Sequence, residues 1–489
     1  MILARAPCRL FLLVLVAAFL VQTAWILALP AFRGSDEFDH VFKAEAVAHG
    51  QLLYDGAADA GRGGLVRVPE DVVAAASAMC ESYEYTGPDN CHPVEQLGGG
   101  MVTVASGAAT YNPTYYAVVG LMARPFSGAA ADFAIRAYTA ALAALLLAWA
   151  AVVTSGLARN AWPLLALLVT ATPVLIYSTA VASPNGVGYA AACLLWAAGL
   201  GLVEDPGRPR LIGLTTATLT MMVTHSTGVM WLAIIIAVIA LIQPLSRWRE
   251  LFGRSPRRLT GAAMSIGVSG VGCAVWILLA KTNALDAVDG RFGRLEMSDL
   301  ANGQVVWALQ TIAAFPLRNE PAPVIVYVLW LVPFVGLLMA GIRHASWRLR
   351  LAALVLLATW VALPVALTYV SYASEGLAWQ GRYALPLAIG FPALAGLALN
   401  RSDRGPHRAT LAIAVALCAL AQTISCVRVA SLEADRDLSP AFAASVPGAL
   451  GLIAALALAG SLLPLLLARG ASLPRTRTTP VSSHSSLGV

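Results

Sequence analysis

The sequence predicts an all-α polytopic membrane protein with about twelve transmembrane helices. Of its 489 residues, 58% are hydrophobic and only 12% are charged, and the mean hydropathy is +0.73. A soluble chain of this size could not hide so much apolar surface, because its exterior must be largely polar. The other two observations are the length of the apolar runs and the placement of the basic residues. Because this composition indicates a membrane protein, a bilayer is the expected environment, and the net charge of +6 is no indication of nucleic-acid binding.

Twelve apolar runs are long enough, or nearly so, to cross a bilayer. Each is predicted to be a helix, because backbone polar groups in lipid must be satisfied within the segment. The first run resembles a signal peptide, but its length at the head of a polytopic chain favours a retained anchor. The fifth run is short. The runs are 10–31, 134–157, 161–181, 185–203, 210–224, 227–245, 259–281, 321–342, 350–371, 383–400, 408–427 and 445–468.

The basic residues predict the topology. If both termini are cytosolic and the chain alternates, the cytosolic segments hold 19 of the 32 Lys and Arg residues but only four of the 26 acids. This distribution fits the positive-inside rule, although long outer loops translocate largely regardless of charge. The polar chain then lies mainly on the extracytoplasmic face.

Six segments follow from these spans. They are the first helix (1–31), a large extracytoplasmic loop with interfacial helices (32–133), helices 2–7 (134–281), a second long outer loop (282–320), helices 8–12 (321–468) and a cytosolic tail (469–489). The tail is rich in Ser, Thr and Pro, a composition typical of disorder.

Cys80 and Cys91 form the only cysteine pair in the first outer loop. The predicted topology places them in an oxidising compartment, so a disulfide is the favoured interpretation. The alternative is a metal site with His92, but the motif offers too few ligands for zinc. No metal site is predicted from this motif.

The segment 35–50, SDEFDHVFKAEAVAHG, places several charges just after the first span. Ser35 can cap a helix whose first turn holds Asp36 and Glu37, where the helix dipole favours negative charge. Gly50 is a natural end. The pattern predicts a short amphipathic helix lying along the outer surface. The acids are either ordinary solvated groups or members of an active site.

A second polar cluster lies at 109–126, ATYNPTYYAVVGLMARPF. Its apolar segment is too short to span comfortably, so an interfacial helix is expected. Tyr111, Tyr115 and Tyr116 would lie at the membrane boundary, where amphipathic rings are enriched. They form either a plain aromatic belt or part of the wall of a site.

The tenth span opens with Gln380, Gly381, Arg382 and Tyr383. The planar guanidinium of Arg382 suits bidentate phosphate binding, although it could also reach toward lipid headgroups. No ionisable residue lies deep in any predicted span, which argues against a proton-coupled transporter.

The ordered set of four motifs resembles a family. The acidic DE..H after the first span, the NP.YY, the SPNG turn at 183–186 and the QGRY resemble the bacterial DUF2142 membrane proteins, which are in turn similar to GT-C glycosyltransferases. The resemblance covers most of the chain from the first to the tenth span. This sequence differs from the family pattern at Asn185, where family members usually carry Asp.

The resemblance implies a GT-C-like enzyme of the bacterial inner (plasma) membrane. Its donor would be a sugar on a polyprenyl phosphate, and its acceptor a cell-envelope glycan or lipid on the extracytoplasmic face. Direct displacement would invert the anomeric centre. No cofactor is expected, with a divalent metal left open. The alternative is a non-enzymatic lipid-linked glycan transporter, a flippase or a scaffold.

The same resemblance assigns roles to residues. Asp36 is the expected catalytic base, with Glu37 beside it. Arg382 is the best candidate for holding the donor phosphate. The further candidates for donor or substrate binding are His40, Tyr383, Gln380, Asn112, Tyr115, Arg291 and Arg294.

Overall fold

The computed structural model describes residues 5–83, 86–91, 99–204, 207–224, 227–254, 256–280, 295–315, 320–402, 405–436 and 441–465. The chain in these ranges is mostly helical and contains one two-stranded sheet. The first half consists of α1 (Arg5–Ala28), α2 (Glu37–Ala48), β1 (Gly64–Pro69), α3 (Glu70–Glu81), β2 (Met101–Ser106), α4 (Pro113–Ala123), α5 (Ala129–Ser155), α6 (Trp162–Thr170), α7 (Pro173–Ser178), α8 (Pro184–Glu204), α9 (Arg208–Thr224) and α10 (Gly228–Leu241).

The second half begins with α11, a short helix that carries several basic residues. Its elements are α11 (Leu245–Arg254), α12 (Pro256–Ala280), α13 (Met297–Gln310), α14 (Val324–His344), α15 (Trp347–Glu375), a 3-10 turn (Gly381–Ala384), α16 (Leu385–Ala388), α17 (Gly390–Asn400), α18 (Arg408–Ala434), α19 (Phe442–Ser445) and α20 (Ala449–Leu462).

Eight helices in the described part of the chain are long and apolar enough to cross a membrane. They are Pro7–Ala28, Ala129–Ser155, Pro184–Glu204, Leu259–Ala280, Val324–His344, Trp347–Ala373, Gly381–Asn400 and Arg408–Ala434. The exposed faces of α12, α14 and α15 are apolar, as expected of surfaces that contact lipid. The predicted polytopic, mostly helical class is confirmed.

Only eight of the twelve predicted spans are described helices long and apolar enough to cross a membrane. Two of the remaining predicted spans are the 14-residue apolar helices α10 and α20, and a third is the 17-residue α9. The fourth, 161–181, is interrupted where α6 ends at Thr170 and α7 begins at Pro173. Proline lacks an amide hydrogen and disfavours the helical conformation of the residue before it, and both effects favour an interruption there.

The described residues between 32 and 126, in the predicted outer loop, pack around a common core and are here called the cap. Its strands β1 and β2 pair antiparallel, with Gly64 opposite Ser106 and Pro69 opposite Met101. A disulfide joins Cys80, on α3, to Cys91. The apolar core of the cap includes Phe38, Phe42, Val66, Val104, Tyr116 and Val119, and it continues onto the first turns of α5 and α8.

The helix predicted at 35–50 is present, but its predicted position on the outer surface is wrong. A helix is present as α2, but every one of its residues is buried. The sequence pattern showed one apolar face and suggested a helix lying on a membrane surface. The strands, α3 and α4 instead fold around it, and the two-stranded sheet that does so was not predicted. By contrast, α4 exposes Val118, Leu121 and Met122, as expected of an interfacial helix.

Candidate functional site

Asp36 lies in the tight connection between α1 and α2. Its backbone is left-handed, with φ of 56°, a conformation that few residues other than glycine adopt and that Asp and Asn tolerate best. Asp36 precedes the first turn of α2, yet its side chain makes no capping hydrogen bond to that helix. The carboxylate lies instead 3.2 Å from Nη2 of Arg382.

Arg382 reaches Asp36 from a turn 346 positions later in the chain. The turn is held against α13, because the amide of Gly381 donates to Oε1 of Gln310 at 2.7 Å. A Cβ added at Gly381 would overlap the carbonyl oxygen of Trp307, so this close approach requires glycine. The side chains of Asp36 and Arg382 are 18% and 10% exposed, so the pair is sheltered but accessible.

An aromatic wall stands beside the pair. The guanidinium of Arg382 lies 5.5 Å from the ring centre of Tyr383, a cation–π distance. Tyr383 in turn meets Trp379 edge to face at 5.6 Å. Two polar atoms here, Nε of Arg382 and Oε1 of the buried Gln380, have no hydrogen-bond partner among the described residues. The arrangement offers one carboxylate, one permanent cation and unfilled hydrogen-bonding capacity.

Glu37, next to Asp36, has a different environment. Its side chain is fully buried and pairs with Arg136 of α5 through bonds of 2.9 and 2.6 Å. The two carboxylate oxygens also accept the amides of Gly34 and Ala182, each at 2.7 Å. A carboxylate with both oxygens engaged and no solvent access cannot readily take a proton from a substrate. The contacts of Glu37 are therefore those of a buried supporting residue.

Arg136 is the centre of this buried network. It also contacts Asp132 at 3.2 Å and donates to the carbonyl oxygens of Leu29 and Pro30. Asp132 accepts the amide of Phe32 at 2.9 Å. The network fixes the end of α1, the start of α2 and the first turns of α5 together. Sequence reasoning missed it, although two charges four residues apart in an apolar helix were an available signal.

His40 and Asp39 also serve the interior of the cap. Nδ1 of His40 lies 2.8 Å from the hydroxyl of Tyr116, and the two rings are stacked. Asp39 accepts the amide of Gly107 at 2.6 Å and lies 3.7 Å from Arg62. Burial raises the pKa of Asp39 to about 7, although Arg62 and the Gly107 amide oppose that shift. The amide of His40 donates to the backbone carbonyl oxygen of Asp36 at 3.3 Å, so His40 is joined to Asp36 through the main chain.

The remaining predicted site residues fall in three places. Asn112 caps α4, where its side chain accepts the amide of Thr114 at 3.0 Å. Tyr115 is buried, and its hydroxyl lies 2.6 Å from that of Thr139. Arg291 and Arg294 lie outside the described residues. Of the candidates that the structure describes, Asp36, Arg382, Tyr383 and Gln380 come together.

No group of three or more His, Cys, Asp or Glu side chains arranged to hold a metal occurs in the part of the chain that the structure describes. The Asp36–Arg382 site offers an acid, a guanidinium and their polar and aromatic neighbours. A carboxylate of this kind can accept a proton, and the guanidinium can bind an anion.

A family model described as "Predicted membrane protein (DUF2142)" matches residues 19–391. The chain belongs to the DUF2142 family. The resemblance carried by the four sequence motifs is thereby confirmed. No curated protein matches the sequence of this DUF2142 protein.

A solved structure similar to this DUF2142 protein is ArnT from Cupriavidus metallidurans bound to undecaprenyl phosphate. The TM-score is 0.37 and the sequence identity is 12%, over 87% of this chain and 74% of ArnT.

Proposed function

We propose that this DUF2142 protein is an integral membrane glycosyltransferase that moves a sugar from a polyprenyl-phosphate donor to a cell-envelope glycan or lipid acceptor. The observation that carries the proposal is the Asp36–Arg382 pair. Asp36 is the partly accessible acid of a segment in which Glu37 and Asp39 are buried and engaged in supporting contacts. It is held beside a guanidinium suited to phosphate.

The proposed reaction is a direct displacement. The acceptor hydroxyl attacks the anomeric carbon of the donor while Asp36 takes the hydroxyl proton. The bond from the anomeric carbon to the phosphate oxygen breaks, and Arg382 stabilises the charge that develops on the departing polyprenyl phosphate. One attack from the face opposite the leaving group inverts the anomeric centre.

The resting contact between the two residues fits this order of events. Arg382 donates to Asp36 through Nη2, while its Nε has no partner among the described residues. A donor phosphate that engages this free side of the guanidinium would compete with Asp36 for the cation. The carboxylate would then become a better proton acceptor when the donor is bound, because it shares its counter-ion.

The buried network explains how Asp36 is positioned. Glu37 and Arg136 hold the residues on both sides of Asp36, so that its backbone keeps an unfavourable left-handed conformation. In that conformation the carboxylate makes no capping hydrogen bond to α2 and contacts Arg382. Glu37 is thus a positioning residue in this proposal, and Asp36 is the catalytic one.

Asp36→Asn tests the proposal in membranes that contain the full-length protein. Asn tolerates the left-handed conformation, so the fold should be kept while the proton acceptor is lost. Release of polyprenyl phosphate from polyprenyl-phosphate hexoses should fall about 10²–10⁴-fold, the usual worth of general-base catalysis. Binding of the donor should change little.

Asp55→Asn is the matched control, because Asp55 is exposed on the cap and pairs only loosely with Arg67 at 3.9 Å. If Asp36→Asn releases polyprenyl phosphate as fast as Asp55→Asn, Asp36 is not the base. If the wild-type protein binds the donor and moves it across vesicles without releasing polyprenyl phosphate, the transporter or flippase alternative is correct.

A further inference from the structure

A half-open cleft lies near the Asp36–Arg382 pair, and its internal space is about 20 Å3. Its walls are the first turns of α8, the facing ends of α9 and α10, and the turn that carries Tyr383. That space is far below the range of about 300–1,000 Å3 found for enclosed small-molecule sites, so a ring bound here would lie partly outside the cleft.

Two buried polar atoms in this cleft have no partner among the described residues. They are Oδ1 of Asn185 and the hydroxyl of Tyr189, on side chains that are 9% and 5% exposed. Asn185 and Tyr189 are four residues apart on α8 and therefore lie on the same face of that helix. Buried polar groups in proteins are nearly always satisfied, so two unsatisfied ones lining one cleft indicate a ligand that supplies hydrogen bonds.

The rest of the lining limits the chemistry of that ligand. Among the described residues, no carboxylate, guanidinium, ammonium or imidazole group lines the cleft. Trp231 and Tyr383 supply aromatic surface, and Trp379 joins them at ring-centre distances of 6.3 and 5.6 Å. An aromatic wall with a few placed hydrogen-bonding groups suits a neutral ligand that has both apolar and hydroxyl-bearing faces.

The cleft adjoins the reactive pair. Tyr383 lines the cleft and lies under the guanidinium of Arg382. A phosphate on Arg382 and a ring in the cleft can therefore be neighbouring parts of one molecule.

We propose that this cleft, lined by Asn185, Tyr189, Trp231 and Tyr383, binds the sugar ring of the donor and selects an uncharged sugar. The inference rests on the proposed function for the identity of the donor. Asn185 accepts a hydrogen bond from one sugar hydroxyl, Tyr189 exchanges one with another, and the aromatic rings pack against the carbon face. A uronic acid or an amino sugar would bring a charge that the described lining cannot pair.

The test is equilibrium binding to the purified full-length protein of a short-chain polyprenyl phosphate, either bare or carrying one of several neutral hexoses. At least one hexose should bind more tightly than the bare lipid. Tyr189→Phe removes only an unpartnered hydroxyl and should not harm folding. It should weaken binding of the preferred hexose form about 3- to 10-fold, the worth of a neutral hydrogen bond, and should leave the bare form within about twofold.

Thr368→Val is the matched control. Thr368 also has a buried hydroxyl without a partner among the described residues, but it lies on α15 and does not line the cleft. This variant should bind both lipids as the wild type does. Asn185→Leu provides a second, independent loss of the hydrogen-bonding group and should repeat the pattern of Tyr189→Phe.

Two failures are distinguishable. If the bare polyprenyl phosphate binds but no hexose adds affinity, or if Tyr189→Phe weakens both lipid forms equally, the cleft is not the sugar site and the proposed function stands. If the wild type binds neither form, the polyprenyl-phosphate donor itself is wrong. Tighter binding of a uronic acid or amino-sugar form than of every neutral hexose overturns the selection of an uncharged ring.

Discussion

Asp36 and Glu37 show how differently two adjacent acids can be used. Asp36 is partly exposed and forms an ion pair with Arg382. Glu37 accepts four hydrogen bonds in the interior, two of them from Arg136. One peptide unit therefore separates a candidate reacting group from a structural anchor, and substitutions at the two positions should have different consequences.

Arg136 provides the sharpest stability prediction. Arg136→Met leaves Glu37 and Asp132 buried without their cation, so we expect a loss of about 3–5 kcal/mol in the free energy of unfolding. Thermal unfolding of the purified protein in detergent measures it. Arg67→Met is the control, because Arg67 is exposed, and its loss should cost less than about 1 kcal/mol. Equal melting temperatures for the two variants would contradict a supporting role for the network.

The buried carboxyl of Asp39 predicts a pH dependence. Its pKa in the folded protein is raised to about 7 by burial, above the ordinary value of 3.8. A carboxyl with a raised folded pKa stabilises the fold below its unfolded pKa, and this contribution is lost as the pH rises toward 7. The wild type should therefore lose stability relative to Asp39→Asn between about pH 4 and pH 7.

The measurement is the difference in melting temperature between the wild type and Asp39→Asn as a function of pH. The amide oxygen of Asn can still accept the Gly107 amide, so the variant isolates the ionisation. Glu45 also titrates near pH 7 because burial, and then Asp71, raise its pKa. Its effect is common to both proteins and cancels in the difference. A difference that is constant with pH would show that Asp39 keeps one protonation state.

At the scale of elements, the cap is the unit that places Asp36. The Glu37–Arg136 pair joins α2 to α5, and a second buried pair, Arg33 with Glu433 at 2.8 Å, joins the α1–α2 connection to the end of α18. The disulfide between Cys80 and Cys91 lies within the cap. The cap is thus fastened to the helices by ion pairs and closed internally by the disulfide.

Cys80→Ser should therefore loosen the cap and leave the membrane helices folded. The bridge closes a loop with a sequence separation of 11 residues, and its loss should cost at most about 3 kcal/mol. Hydrogen exchange should rise in α3 and around Cys91 and stay unchanged in α8. Cys8→Ser is the control, since Cys8 is a free thiol. Increased exchange throughout α8 would mean that the cap and the helices unfold as one unit.

At the scale of the whole molecule, the orientation in the membrane remains a prediction. In a Cys8→Ser background, the other free cysteines are buried and should not label. A cysteine at Ser298 should react with membrane-impermeant thiol reagents in intact cells, whereas one at Ser246 should react only with permeant reagents. The reverse pattern would place the Asp36–Arg382 site on the cytosolic face and exclude an extracytoplasmic reaction.

The family, the membrane class and most helices followed from the sequence alone. Long apolar runs and basic loops are local properties, because the energy of placing a residue in lipid depends mainly on that residue and its near neighbours. The motifs around Asp36 and Arg382 were also visible, because each consists of neighbouring residues in the sequence. The interruption at Pro173 also had a local signal, since proline disfavours a helical conformation in the residue before it.

Only the tertiary structure decided which charges are used and which are buried. The partners of Glu37, Arg33 and Asp36 lie about 100, 400 and 346 positions away in the sequence. No local pattern records such a pairing, because the energy of a charge depends on the groups that surround it after folding. The burial of α2 and the unsatisfied atoms of Asn185 and Tyr189 likewise depend on the groups that surround them after folding. The sequence determined which groups are available, and packing between distant segments decided that Asp36 and Arg382 face each other beside an aromatic cleft.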